Sequence, residues 1–405
     1  MRRTHWRALV AAVAAAAALL AACGSDEAPR TATATLSARR SPALAWTGDR
    51  LFVYGGSPDP VRPVDETHLP AERTDAALWD PVTRRFAPVA EAPFDLPLNS
   101  SYTWAAAVGE QVTVLGTSCS PDSTRDREDS SNHCAPGTYA AAVYDIAANE
   151  WDLVALPAEL EREVDGYAEA LGTTSDGRVV ALLGPASARE FWTFDVADRS
   201  WSPLPAPEVR VEASCLAGDT VAVVTGDLLD GGEVVASPAE PETVDEPVDA
   251  IAGVSLRLLD LTHSEPSWVA TPAFDPVDRQ ALLYPSVACG DDFAFVHNGT
   301  GEQGHVHSTA ATVAADGWDE APPQPFDGVF SVALGRGDEI VFAEGTGGTW
   351  AEPAVIYDHP TNSWVEIDPL FVPSGSAILA GDAVTGWPAN AGQPPTAPFF
   401  TPIGD

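Results

Sequence analysis

The side chains best suited to chemistry are few and scattered. Three of the eight histidines fall close together, at His297, His305 and His307. An extended backbone turns His305 and His307 to the same side, as metal ligands can be. Glu302 or Asp316 could join them, yet no carboxylate stands among them at tight ligand spacing. Incidental histidines on a surface loop are the better reading, and no metal is assigned. Asp227, Asp230 and Glu233 surround Gly231 and Gly232, but their spacing misses the alternating ligands of a calcium loop. No nucleophile elbow, phosphate loop or zinc helix occurs in the chain. No catalytic residue and no cofactor follow from these residues.

The cysteines carry a clearer chemistry. Cys119, Cys134, Cys215 and Cys289 form an even set, which in an exported protein predicts two disulfides. Cys119 and Cys134 flank a polar Asp/Ser stretch. Bridging them would close a loop of about 15 residues, worth about 3 kcal/mol in the chain-entropy model. Cys215 and Cys289 occupy matching places in consecutive repeats, which predicts a staple between two neighbours. A thiol nucleophile would want a nearby histidine instead. The fifth cysteine, Cys23, ends the run Leu20-Ala21-Ala22-Cys23, after Arg2, Arg3, Arg7 and an unbroken apolar stretch from Ala8. That run resembles the lipobox of bacterial lipoproteins. It implies a signal peptide over residues 1–22, lipidation at Cys23 and a short tether over 23–30. The apolar run is too short and Ala-rich to be a comfortable membrane span.

The elements that must position any site repeat along the chain. Trp79-Asp80 to Phe86, Tyr144-Asp145 to Trp151, Phe194-Asp195 to Trp201 and Tyr357-Asp358 to Trp364 each place an aromatic six residues after an Asp. Asp260 to Trp268 is a longer copy, and Asp316-Gly317-Trp318 a degraded one. The Asp can cap its own turn, and the aromatic gives a small sheet a large face to bury. Each copy follows a hairpin of two apolar strands around a Gly/Asp turn. The second strands of these hairpins end at Gly56, Gly116, Gly184, Gly226, Gly299, Gly345 and Gly386, spaced by 60, 68, 42, 73, 46 and 41 residues. Two hairpins make a four-stranded sheet, and such sheets in series predict an all-β propeller.

Seven blades of four antiparallel strands is the expectation over residues 31–405, with six blades and a C-terminal extension as the alternative. The last unit has a first hairpin but no Asp-turn-aromatic copy. Pro398–Ile403 would supply its third strand and Thr31–Ala38 its fourth, closing the ring. The stretch Leu51-Phe52-Val53-Tyr54-Gly55-Gly56 and the Tyr/Phe-Asp…Trp hairpins resemble Kelch-type β-propellers, also seen as the central domain of galactose oxidase. The likeness covers residues 31–405, although among the second-strand ends Gly55-Gly56 alone is a diglycine. A copper radical oxidase of that kind needs Tyr and His ligands and a Tyr–Cys cross-link. No Tyr here pairs with a Cys by spacing, so those ligands are not carried over.

Charge narrows the partners. All 21 cationic residues are Arg, against 59 Asp and Glu, for a net charge of -38. A field of that sign disfavours a nucleic-acid backbone. The connections 57–75, 117–138, 227–254 and 300–308 are long and share one face of the ring, while the turns on the other face are short. Long loops on a rigid scaffold are where binding collects. The sequence therefore leads to a lipid-anchored propeller on the outer leaflet of a bacterial cytoplasmic membrane. It would bind a protein or glycan through the long-loop face, without catalysis. The alternative is a propeller hydrolase, lyase or oxidase acting on an extracellular glycan or small substrate.

Overall fold

The computed structural model describes residues 36–37, 39–57, 72–119, 136–161, 167–184, 189–209, 211–228, 251–271, 285–298, 311–314, 317–322, 332–343, 354–367, 375–388 and 397–403. The chain divides between Thr33 and Ala34, and all of these residues belong to the second unit. Signal peptide, tether and Cys23 lie outside the described residues.

Every described regular element is a β-strand. Six four-stranded antiparallel sheets follow in series, over residues 43–88, 98–154, 167–203, 213–270, 285–320 and 332–367. We call them blades one to six. Within each, the strands are joined in chain order, as two successive hairpins require. Residues 375–402 form a seventh sheet of three strands, Gly375–Leu379, Ala383–Pro388 and Phe399–Pro402. The expectation of seven four-stranded blades is therefore corrected: six blades have four strands, the number in the alternative reading.

Short strands cannot bury both sheet faces alone, so the core is divided among the gaps between neighbours. Phe52, Tyr54 and Leu78 of blade one meet Val112, Val114 and Tyr144 of blade two. Further apolar clusters fill the gaps from blade two to blade six. The three-stranded sheet is covered on both faces. Val384 and Ile403 pack on Val341 and Ile356 of blade six, and Trp387 packs among Leu44, Val53 and Trp79 of blade one.

Among the described residues no closing N-terminal strand is formed. Leu36 and Ser37 are not in a strand, and the rest of 31–35, with Ala38, lies outside the described residues. Side chains make the joint instead. Trp387 is 1 % exposed and its indole Nε1 donates to the Arg39 carbonyl at 2.8 Å. The Arg39 guanidinium lies over the Trp387 ring at 5.9 Å and is 0 % exposed. It donates to the carbonyls of Ser37 at 3.0 Å and Gly55 at 2.8 Å, and to Asp75 Oδ2 at 2.7 Å. Arg40 and Ser57 exchange backbone hydrogen bonds beside it. This approach explains the diglycine. Gly56 has a φ of +97°, and a Cβ there would lie 2.8 Å from the Arg40 carbonyl.

The Asp turns behave as the sequence implies. Asp80 Oδ1 accepts from the amides of Val82 and Thr83, Asp195 Oδ1 from those of Ala197 and Asp198, and Asp145 Oδ1 from that of Ala148. Four residues after the Asp the chain enters the left-handed region, at Arg84, Asn149, Arg199 and Asn362, with φ between 47° and 56°. Asn tolerates that conformation best, and both Asn copies gain a partner. Tyr144 and Tyr357 donate their hydroxyls to Asn149 and Asn362 Oδ1 at 2.7 and 2.8 Å.

Candidate functional site

The frame around any site is fixed from the short-turn face. Ser175, on the inner turn of blade three, donates its amide to Asp219 Oδ1 at 2.7 Å and its hydroxyl to Oδ2 at 2.5 Å, on the inner turn of blade four. The next inner turns are tied by the Asp291 amide donating to the Gly337 carbonyl at 2.8 Å. Arg336 then reaches Asp382 of the last sheet at 3.8 Å. Glycine makes the approach sterically feasible. A Cβ on Gly218 would sit 2.5 Å from the Asp291 carbonyl oxygen, and one on Gly335 would overlap the Cys289 carbonyl. The sequence placed Gly/Asp pairs at these turns but carried no sign that they bind one another.

The outer strands are tied back as well. The indoles of Trp151, Trp268 and Trp364 donate to the carbonyls of Ala90, Pro205 and Pro322 at 2.7–2.8 Å. Each acceptor lies in the connection from the preceding blade, so the repeated aromatic fastens neighbours in addition to filling the core. The repeat spacing revealed the burial of these rings but not their hydrogen bonds.

Between blades four and five this frame opens into a cleft of about 670 Å³. Three turns on the short-turn face build it: those carrying Asp219, Asp260 to Glu265, and Asp291 with Asp292. Its floor is apolar, with Ala222, Leu258 and Val269 among its residues. Val269, on the outer strand of blade four, is 58 % exposed. The first strands of the same two blades are joined by the predicted bridge Cys215–Cys289, with a Cα–Cα distance of 5.7 Å across 74 residues.

The rim is anionic. Asp219 is held by Ser175, while Asp260 accepts from the Thr262 amide and hydroxyl at 2.9 and 2.6 Å. His263 Nδ1 lies 3.0 Å from Asp260 Oδ2. The Thr262 hydrogen bonds, then the His263 contact, hold the Asp260 carboxyl below its ordinary range. Asp291, Asp292 and Glu265 also stand on the rim. They have no ion-pair partner among the described residues.

The opposite face is built differently. At the root of the 57–75 connection, Asp75 pairs with Arg39, and Ser100 Oγ donates to Glu72 Oε1 at 3.3 Å. Burial lowers the Arg39 pKa against the opposing pull of Asp75, and burial raises the Tyr54 hydroxyl. The rest of the long-loop face is largely out of view, because 58–71, 120–135, 229–250 and 299–310 lie outside the described residues. His305, His307, Asp230, Glu233 and Cys134 fall there. His297 lies on the strand Ala294–Asn298, its backbone paired with Ser286. Cys119 ends its strand at Cys119 and is disulfide-bonded. Among the described residues no three His, Cys, Asp or Glu side chains converge as metal ligands. The described cleft thus lies on the short-turn face, opposite the face singled out by loop length. It arises from the spacing of two blades, which loop length does not report.

No protein-family model matches the chain, and no curated protein does. Among solved structures, one titled "Structure of YjhT" aligns with 82 % of this chain and 98 % of that chain, at 11 % identity and a TM-score of 0.46. A likeness that loose carries no argument here, so the propeller rests on the sheet order and the packing given above.

Proposed function

We propose that this chain is a lipid-anchored, extracytoplasmic β-propeller that binds a protein or glycan ligand without catalysis. The observation that carries the reading is the cleft between blades four and five. It is a recess with an apolar floor and an anionic rim, on a frame stapled by Cys215–Cys289. A preformed recess of this kind favours binding, because little ordering is needed when a ligand arrives. On the rim, the Thr262 hydrogen bonds lower the Asp260 carboxyl pKa and so keep it charged at neutral pH.

Anchoring rests on Leu20-Ala21-Ala22-Cys23, and the Kelch-type likeness on Gly55-Gly56 and the Asp-turn-aromatic hairpins. Two measurements test the proposal. Labelling with an alkynyl fatty acid should tag the parent and not Cys23→Ala. A fluorescent soluble form starting at residue 24 should bind the producing cells' envelope saturably. An untagged parent overturns the anchor, and an absence of saturable retention overturns the binding role.

A further inference from the structure

We propose that the cleft between blades four and five receives an arginine side chain, with its apolar neighbours, from a partner polypeptide. The inference rests on the binding reading above and names the ligand class. The floor comes first. Leu258 and Val269 offer aliphatic surface inside a recess of about 670 Å³, within the usual range of ligand pockets. An apolar floor under a charged rim matches a side chain that is itself divided, with a methylene stem and a cationic head. Rim charge fixes the sign. Asp291, Asp292 and Glu265 come from two turns on two blades and have no ion-pair partner among the described residues, and the His263 imidazole is already beside Asp260. Several carboxylates around one mouth suit a planar guanidinium, which donates in more than one direction, better than a point-like ammonium. A net charge of -38 draws such a ligand in from a distance.

The frame makes the recess specific. The first strands of blades four and five cannot part while Cys215–Cys289 is intact, and Gly218 leaves no space between itself and the Asp291 carbonyl. The rim carboxylates of blades four and five therefore keep their spacing. The occupant must fit the cleft as it stands.

Fluorescence anisotropy with a labelled, acetyl- and amide-capped Leu-Arg-Leu peptide tests this on the soluble form. Asp291→Asn with Asp292→Asn should weaken binding about tenfold, or about 1.4 kcal/mol. Val269→Ser should weaken it about threefold through lost apolar cover. Glu159→Gln with Glu161→Gln makes the same charge change on an exposed segment after blade two and should matter less than about twofold. The Leu-Gln-Leu analogue should not compete, and spermidine, which lacks the apolar flanks, should compete poorly. Unchanged melting temperatures would show that the variants still fold. Equal losses in the two neutralised pairs, an indifferent Val269→Ser, or an equally good glutamine analogue would reduce the effect to bulk attraction and overturn the proposal. Absence of saturable peptide binding would do the same. Envelope retention that survives the cleft variants would overturn this inference and leave the binding role standing.

Discussion

Cutting the joint between the chain's two ends should cost far more than its length suggests. Arg39 is fully buried and reaches four acceptors: the carbonyls of Ser37, Gly55 and Asp75, and the Asp75 carboxylate. Arg39→Ala removes the charged donor and strands buried acceptors. The Gly55 carbonyl left behind is buried, whereas the Asp75 side chain is 48 % exposed, so we expect a loss of about 2–3 kcal/mol, below that of a pair buried on both sides. Arg39→Lys should recover little, since one ammonium cannot span acceptors set at fork geometry. Trp387→Phe keeps a ring under Arg39 but deletes the 2.8 Å bond to its carbonyl, at a cost of about 1–2 kcal/mol. Both changes open the same joint, so the double variant should lose less than the sum of the two. Urea midpoints followed by tryptophan fluorescence read all three. A soluble form starting at Leu36 should melt near the parent, and one starting at Ser41, which loses Leu36 and the Arg40–Ser57 bonds as well, should melt no higher than Arg39→Ala. If Arg39→Ala stays within about 1 kcal/mol of the parent, or the two losses simply add, the ends are not held by this joint.

Two further outcomes follow from the same geometry. Reducing Cys215–Cys289, or replacing both with Ser, should cost about 4 kcal/mol by the chain-entropy model for a loop of 74 residues; thermal melts with and without reductant measure it, and non-reducing peptide mapping should recover the pair. Asp176 is held below the ordinary carboxylate value of 3.8, first by the Arg178 hydrogen bond and then by Thr174. A depressed folded pKa means that its stabilisation is present above pH 3.8 and is lost as pH falls through the lower folded value. Asp176→Asn should therefore flatten the acid limb of a melting-temperature profile below about pH 4 while leaving the fall in other regions unchanged.

The repeat was legible because its parts are local. Asp80 and Phe86 sit in one hairpin, so turn chemistry and strand alternation could be read within ten or so residues. Cys215 and Cys289 could be paired because they hold equivalent places in adjacent repeats. What was not legible was the joint. Residues 31–36 alternate like a strand, but Leu36 and Ser37 are not in one, and the partner edge and the burial that select a strand are set by residues far along the chain. Nothing local told that Arg39, one of two adjacent arginines, would be buried under Trp387 across 348 positions. The cleft was hidden for the same reason. Asp219, Glu265 and Asp292 look like ordinary surface acids until two blades bring them to one mouth. Loop length pointed to the other face because it reports where chain has been added, not where two sheets part.

The stitching of the inner turns also bears on how this molecule can change over evolutionary time. Ser175 to Asp219, Asp291 to Gly337 and Arg336 to Asp382 form a partial hoop. One extra residue in such a turn would misplace its own contact and that of the next blade, so a change in length there is never private. The connections leaving the opposite face are the long ones, 57–75, 117–138, 227–254 and 300–308. Inserted sequence is tolerated where it disturbs one loop and rejected where it breaks a chain of mutual contacts. The asymmetry between a trimmed face and an overgrown one is then a record of mechanical constraint. New recognition surfaces would be expected to accumulate opposite the hoop, while the recess beside it keeps its dimensions.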